Sequence, residues 1–190
     1  MADFTALYDA CVLYPAPLRD LLVSLAGTGL VRARWSHMIH QEWIENLLKN
    51  RPDLQRESLE RTRTLMDAAV QDCLVTNFED LIPLLELPDD GDRHVLAAAI
   101  RAGADVIVTK NLKDFPNPLV QEKYQIEPQH PDQFVADLLD LSPGLVCATI
   151  RDMRARLKRN PRTVEELLGT FEQQGLTETV ALLRDYAELL

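Results

Sequence analysis

Apolar and polar positions along this chain follow two rhythms, short apolar runs and longer stretches repeating every three to four residues. Residues 4–8 form an apolar run leading into Asp9 and read as a buried strand. After Pro15 and Pro17, Leu18, Leu21, Leu22 and Leu25 recur at helical spacing, and Gly27 and Gly29 supply a stop. Residues 31–35 alternate apolar and basic side chains, which suits either a short strand or the approach to a helix. Ser36 is placed to cap a helix over 37–49, striped by Ile39, Trp43, Ile44 and Leu47. A helix charged on its outer face is expected over 53–71, a short strand over 73–76, and a short helix with a loop over 77–87. Residues 90–102 predict a helix that turns Val95, Leu96, Ala99 and Ile100 inward and ends at Gly103. A buried strand over 105–109 precedes a loop over 111–118 that contains two prolines. A last short strand near Ile126 and a helix over 131–141 follow. Beyond Ser142-Pro143-Gly144 come three helical segments, 145–159, 163–174 and 177–189.

Strands alternate with helices up to residue 141, the pattern of an α/β fold with a mostly parallel sheet covered by helices. The expected division is a domain over 1–141 and a helical C-terminal extension over 142–190. Ligands of such sheets sit beyond the carboxyl ends of the strands. Asp9 follows the first strand directly and Asp114 lies in the loop after the 105–109 strand, so neighbouring strands would bring both acids to one rim.

Composition narrows the function. No apolar run approaches the ~20 residues of a membrane-spanning helix. Met1-Ala2-Asp3-Phe4 lacks a basic start before an apolar stretch, so the expectation is a cytoplasmic protein without a secretory signal. Cys11, Cys73 and Cys147 have no metal-ligand or disulfide spacing and read as reduced thiols. The net charge of −10 argues against loose electrostatic binding of nucleic acid, yet the charge is unevenly distributed. Residues 79–92 carry six acids and no Lys or Arg, whereas 151–162 carry six bases against Asp152 alone.

Each acid also has a structural reading. Asp9 could cap the next helix; Glu42 could belong to a solvated helix face; Asp90 and Asp92 could complement a helix dipole; Asp114 could shape a turn. Together they form an ordered set of strand-end Asp, mid-helix Glu, helix-opening Asp and a post-strand Asp. Clustered carboxylates repel one another and are stabilised by protons or a cation. Their oxygen donors suit Mg²⁺ or Mn²⁺, ions that assist phosphodiester hydrolysis.

Four segments carry a family resemblance: Asp9-Ala10-Cys11-Val12-Leu13-Tyr14-Pro15, Trp35 through Glu42, Asp89 through Ala99, and Ile107 through Pro116. In content and order they resemble the signatures of PIN domains, in particular the VapC-type toxins of bacterial toxin–antitoxin pairs, over about residues 3–140. The resemblance implies a metal-dependent endoribonuclease in which Asp9, Glu42, Asp92 and Asp114 are the catalytic acids. The implied metal ligands are Asp9, Asp92, Asp114 and Glu42, with Asp90 auxiliary. Thr109 corresponds to the family's hydroxyl residue. Many relatives carry an Asp two residues after it, where this chain has Asn111. Candidate RNA contacts are Thr109, Asn111, Lys110, Arg154 and Lys158. The resemblance also implies an antitoxin partner and a homodimer, and the basic residues after Arg151 offer a strip for phosphates. Two other readings stay open. Asn111 favours a catalytically weak binding module, and the acids alone also suit another phosphohydrolase, although Cys11 stands where a haloacid-dehalogenase-type phosphatase needs its second Asp. His94 faces the same helix start as Asp92 and reads as a packed or surface histidine rather than a general acid.

Overall fold

The apolar run after Phe4 becomes strand β1 (Thr5–Tyr8), buried at all four positions. In this computed structural model, which describes residues 4–190 and Asn117 by its backbone alone, β1 is the centre of the sheet. Met1-Ala2-Asp3, on which the expectation of no secretory signal rests, lie outside the described residues. β1 pairs in parallel with β2 (Arg32–Ser36) on one side and with β4 (Val106–Val108) on the other. β3 (Leu74–Val75) and β5 (Glu127–Gln129) complete the order β3-β2-β1-β4-β5, with every pairing parallel. The expected parallel α/β sheet is therefore present. The chain builds outward from β1 to β3 and then returns to the other side of β1, so strand order reverses between β1 and β4. Such a reversal opens a crevice at the carboxyl ends.

The helices are α1 (Ala10–Leu13), α2 (Ala16–Gly27), α3 (His37–Asn50), α4 (Arg56–Ala69), α5 (Arg93–Ala102), α6 (Asn117–Tyr124), α7 (Pro131–Leu141), α8 (Pro143–Arg156), α9 (Val164–Gln173) and α10 (Thr177–Arg184). Ser36 Oγ accepts from Ile39 N at 3.2 Å, as its cap role requires, and Gly103 ends α5 in the left-handed region at φ 60°. Residues 31–35, open between strand and helix approach, are largely β2. Two expectations need correction. The helix expected within 77–87 is only a 3₁₀ turn at Ile82–Leu84: Pro83 donates no backbone N–H, and Asn77 is left-handed at φ 59°. The loop expected over 111–118 ends early, because Pro118 lies in the first turn of α6, where a missing N–H costs nothing.

Buried polar side chains tie β2, α3 and α4 together. Trp43 Nε1 donates to His40 Nδ1 at 3.0 Å, so the proton of this neutral imidazole is on Nε2, which faces Asp67 Oδ1 at 2.8 Å. Trp35 Nε1 donates to the same oxygen at 2.8 Å. The C-terminal helices pack onto this body: α8 lies against α2 and α7, and α10 against α7 and α9. Buried Asp132, on α7, accepts from the backbone N–H groups of Glu178 at 2.9 Å and Thr179 at 2.8 Å. A side chain from the body thus caps the first turn of α10.

Candidate functional site

The register Tyr8↔Val108 makes Asp9 and Thr109 neighbours at the carboxyl rim of β1 and β4. Asp9 occupies the N-cap position of α1, yet its side chain makes no cap bond. It is 2% exposed, and its Oδ2 accepts instead from Thr109 Oγ1 at 2.7 Å and Cys11 Sγ at 3.0 Å. Burial pushes the Asp9 carboxyl up, the two hydrogen bonds pull it down, and the charge of Glu42 raises it again. Burial and the neighbouring Asp9 charge push the Cys11 thiol up to about 12, so it keeps its proton.

Asp92 stands at the entry of α5 and also forms no cap bond; the local cap is Asp89, whose Oδ1 accepts from Gly91 N at 2.8 Å. Partial burial, followed by the charges of Asp9, Asp89, Glu42 and Asp114, pushes Asp92 up to about 7. Asp92 therefore feels the charges of the three other expected acids. Glu42, on α3, has its Oε2 at 3.1 Å from Nε2 of buried His94. Asp90 stays outside the group: its side chain is 76% exposed and pairs with Arg93.

The remaining candidates separate. Thr109 is fully buried and spends its proton on Asp9, while its oxygen accepts from Asn111 N at 3.0 Å. Asn111 is exposed beside it. Lys110 Nζ donates to Gln174 O at 2.9 Å, at the end of α9. Arg154 donates to the carbonyls of Arg162 and Leu190 at 3.3 and 3.0 Å, so it fastens the C-terminal residues. Lys158 is exposed. From the sequence, Cys11 reads as a reduced thiol and His94 as a packed or surface histidine, so neither enters the expected site. The spacing Asp9-x-Cys11 and Asp92-x-His94 was the available signal, but neither spacing tells that Cys11 bonds Asp9 or that His94 meets Glu42.

Among the described residues, no three His, Cys, Asp or Glu side chains form a ready-made metal-ligand set. The donor chemistry nevertheless fits a hard divalent cation: the acids offer only oxygen. Among the described residues, no Lys or Arg forms an ion pair with Asp9, Asp92 or Asp114. A cleft of about 1070 Å³ lies elsewhere, between α2, α4, α8 and α9, lined by Val23, Leu65, Met66, Arg156 and Phe171 among others. None of the rim acids borders it.

The family model described as PIN domain matches residues 5–113, more than half of the chain. The chain belongs to the PIN domain family. A second model, described as the VapC50 C-terminal domain, matches residues 131–185 behind the PIN domain. The chain is also similar to a protein of Mycobacterium tuberculosis named as a putative ribonuclease VapC50, with 46% identity over 83 residues. That stretch covers 44% of this chain and 48% of the relative, so the match spans about half the length of that curated protein. No solved structure matches. Within the PIN domain, Asp9, Asp92 and Thr109 all fall inside the matched span, and Asp114 follows it by one residue.

Proposed function

We propose that this PIN-domain protein is a metal-dependent endoribonuclease, the toxin of a toxin–antitoxin pair, with residues 1–141 as nuclease domain and 142–190 as helical extension. The observation that carries the reading is the acidic group at the β1/β4 rim, where partial burial of Asp92 and then the charges of Asp9, Asp89, Glu42 and Asp114 raise its carboxyl to about 7. The family match and the name of the mycobacterial relative support RNA as substrate. A cognate antitoxin, a homodimer and a cytoplasmic location belong to the same proposal.

Asp9 and Asp92 would hold Mg²⁺ or Mn²⁺, assisted by Glu42 and Asp114. When bound, such an ion polarises a phosphodiester oxygen and lowers the pKa of water. The protein's own groups do the positioning. Thr109 and Cys11 fix Oδ2 of Asp9, and His94 holds Glu42 from α5. Burial keeps Asp9 out of bulk water, which strengthens its pull on a cation. Exposed Asn111 and Lys158 are the candidate RNA contacts whose side chains are accessible. Asn111 also favours a second reading, a PIN fold that binds RNA or protein with little catalysis.

The test is Mn²⁺-dependent cleavage of a mixed RNA pool by the wild type and by the double variant Asp9→Asn, Asp92→Asn. The expected result is cleavage that chelator and the double substitution both abolish. A folded wild type that neither cleaves RNA nor binds Mn²⁺ would favour the binding module. Cleavage surviving the double substitution would place the site elsewhere.

A further inference from the structure

Cys11 is joined to three groups of the acidic rim. Its Sγ lies 3.0 Å from Asp9 Oδ2, 3.4 Å from Thr109 Oγ1 and 3.2 Å from the backbone nitrogen of Lys110. The Lys110 N–H donates to the sulfur, and the S–H donates to the carboxylate. Thr109 repeats the arrangement one step away: its oxygen accepts from Asn111 N, and its hydroxyl donates to the same Oδ2. Two consecutive backbone N–H groups after β4 therefore each reach Asp9 through one side chain, a sulfur or an oxygen. Both relays end on Oδ2, and Oδ1 receives neither.

We propose that Cys11 is a positioning residue for Asp9, fixing the rotation of the carboxylate so that Oδ1 is presented to a divalent cation. This rests on the nuclease reading above. A carboxylate held by one donor can still turn about its Cβ–Cγ bond, whereas two donors on one oxygen from different directions restrict that turn. Partners that hold a metal-binding side chain typically change metal affinity by 10- to 100-fold when removed. A thiol is a weak donor, which puts Cys11 at the lower end of that range. Cys11 also accepts a backbone N–H, so the residue needs both an acceptor and a donor on one short side chain. Serine supplies both, and alanine neither.

The experiment is a calorimetric titration of Mn²⁺ into the full chain for the wild type, Cys11→Ser, Cys11→Ala and Asp9→Asn, with thermal melts in chelator alongside. Cys11→Ala is expected to weaken Mn²⁺ binding by about tenfold and Cys11→Ser to restore most of it. A merely structural cysteine would lower the melting temperature and leave the affinity of the folded protein unchanged. If Cys11→Ala does not fold, Cys11→Val takes its place, with similar volume and no donor. Wild-type affinity in a folded donor-less variant overturns the positioning role and leaves the nuclease reading intact. Absence of Mn²⁺ binding by the wild type overturns that reading and this role with it.

Discussion

His94 on α5 holds Glu42 on α3 across the acidic rim, Nε2 to Oε2 at 3.1 Å. The two residues lie 52 positions apart, and the histidine ring is buried. The carboxylate accepts the Nε2 proton, and the other ring nitrogen, Nδ1, is buried without a partner among the described residues. Replacing His94 by Ala should free Glu42 to swing into solvent. The expected outcome is RNA cleavage slowed by about tenfold, the usual scale for removing a group that orients a metal-binding carboxylate. Initial rates at saturating Mn²⁺, with a circular-dichroism melt as the folding control, check it.

Asp92 carries a pH dependence with a defined sign. Its carboxyl is raised from an ordinary 3.8 to about 7 in the folded chain. Between those values the folded state keeps a proton that the unfolded state has lost. Stability is therefore full below the ordinary value and falls as pH rises toward about 7. In chelator, the urea midpoint of the wild type should drop between pH 5 and pH 8, and Asp92→Asn should remove that part of the drop. The difference is on the order of 1 kcal/mol, since the half-buried carboxylate is partly screened by water. Mn²⁺ competes with the same proton, so its affinity should fall as the pH is lowered through 7.

Asp132 tests the join between body and extension. Burial raises its carboxyl, but the bonds from Thr179, Glu178 and Thr177 outweigh that and hold it below the usual range. Asp132→Ala removes the cap of α10 and is expected to cost about 1–3 kcal/mol in chemical denaturation. Mn²⁺ affinity of the folded variant should stay at the wild-type level, because Asp132 touches none of the rim acids.

Lys110 separates a fastening role from an RNA-binding role. Its ammonium reaches Gln174 O, and burial lowers its pKa. Lys110→Met should cost roughly 1.5–3 kcal/mol of stability, the range for a bond from a charged donor. The KM for RNA should move less than in Lys158→Met, which alters an exposed cation. A larger KM change for Lys110→Met would restore it to the RNA surface.

The placement of Asp9 was legible in the sequence, because a parallel sheet sends acids that follow its strands to one rim. Asp92 was legible as a helix opener, but its rise to about 7 depends on its burial and on Asp9, Glu42 and Asp114 arriving from other segments. Chain spacing does not carry such distances. The same limit hid Cys11 and His94. Each lies two residues from an acid, but Cys11 bonds Asp9 because α1 turns immediately after β1, and His94 meets Glu42 only when α3 and α5 come together. Lys110 and Arg154 read as phosphate contacts because their charge is visible and the carbonyls that receive them are not. The missed start of α6 has a local cause: a proline that usually breaks a helix here opens one.

The two outer strands have a consequence for how copies of this chain can meet. β3 is two residues long, and β5 carries Pro128 at its centre. Glu127 N and Gln129 O both point inward to β4. The Pro128 nitrogen thus belongs to the outward side, where a new strand would seek a donor and find none. One border of the sheet is too short to template another chain and the other lacks a donor, a defence against runaway cross-β stacking. A homodimer of the kind proposed would accordingly have to join elsewhere than at the sheet edges, leaving the sheet a closed private interior.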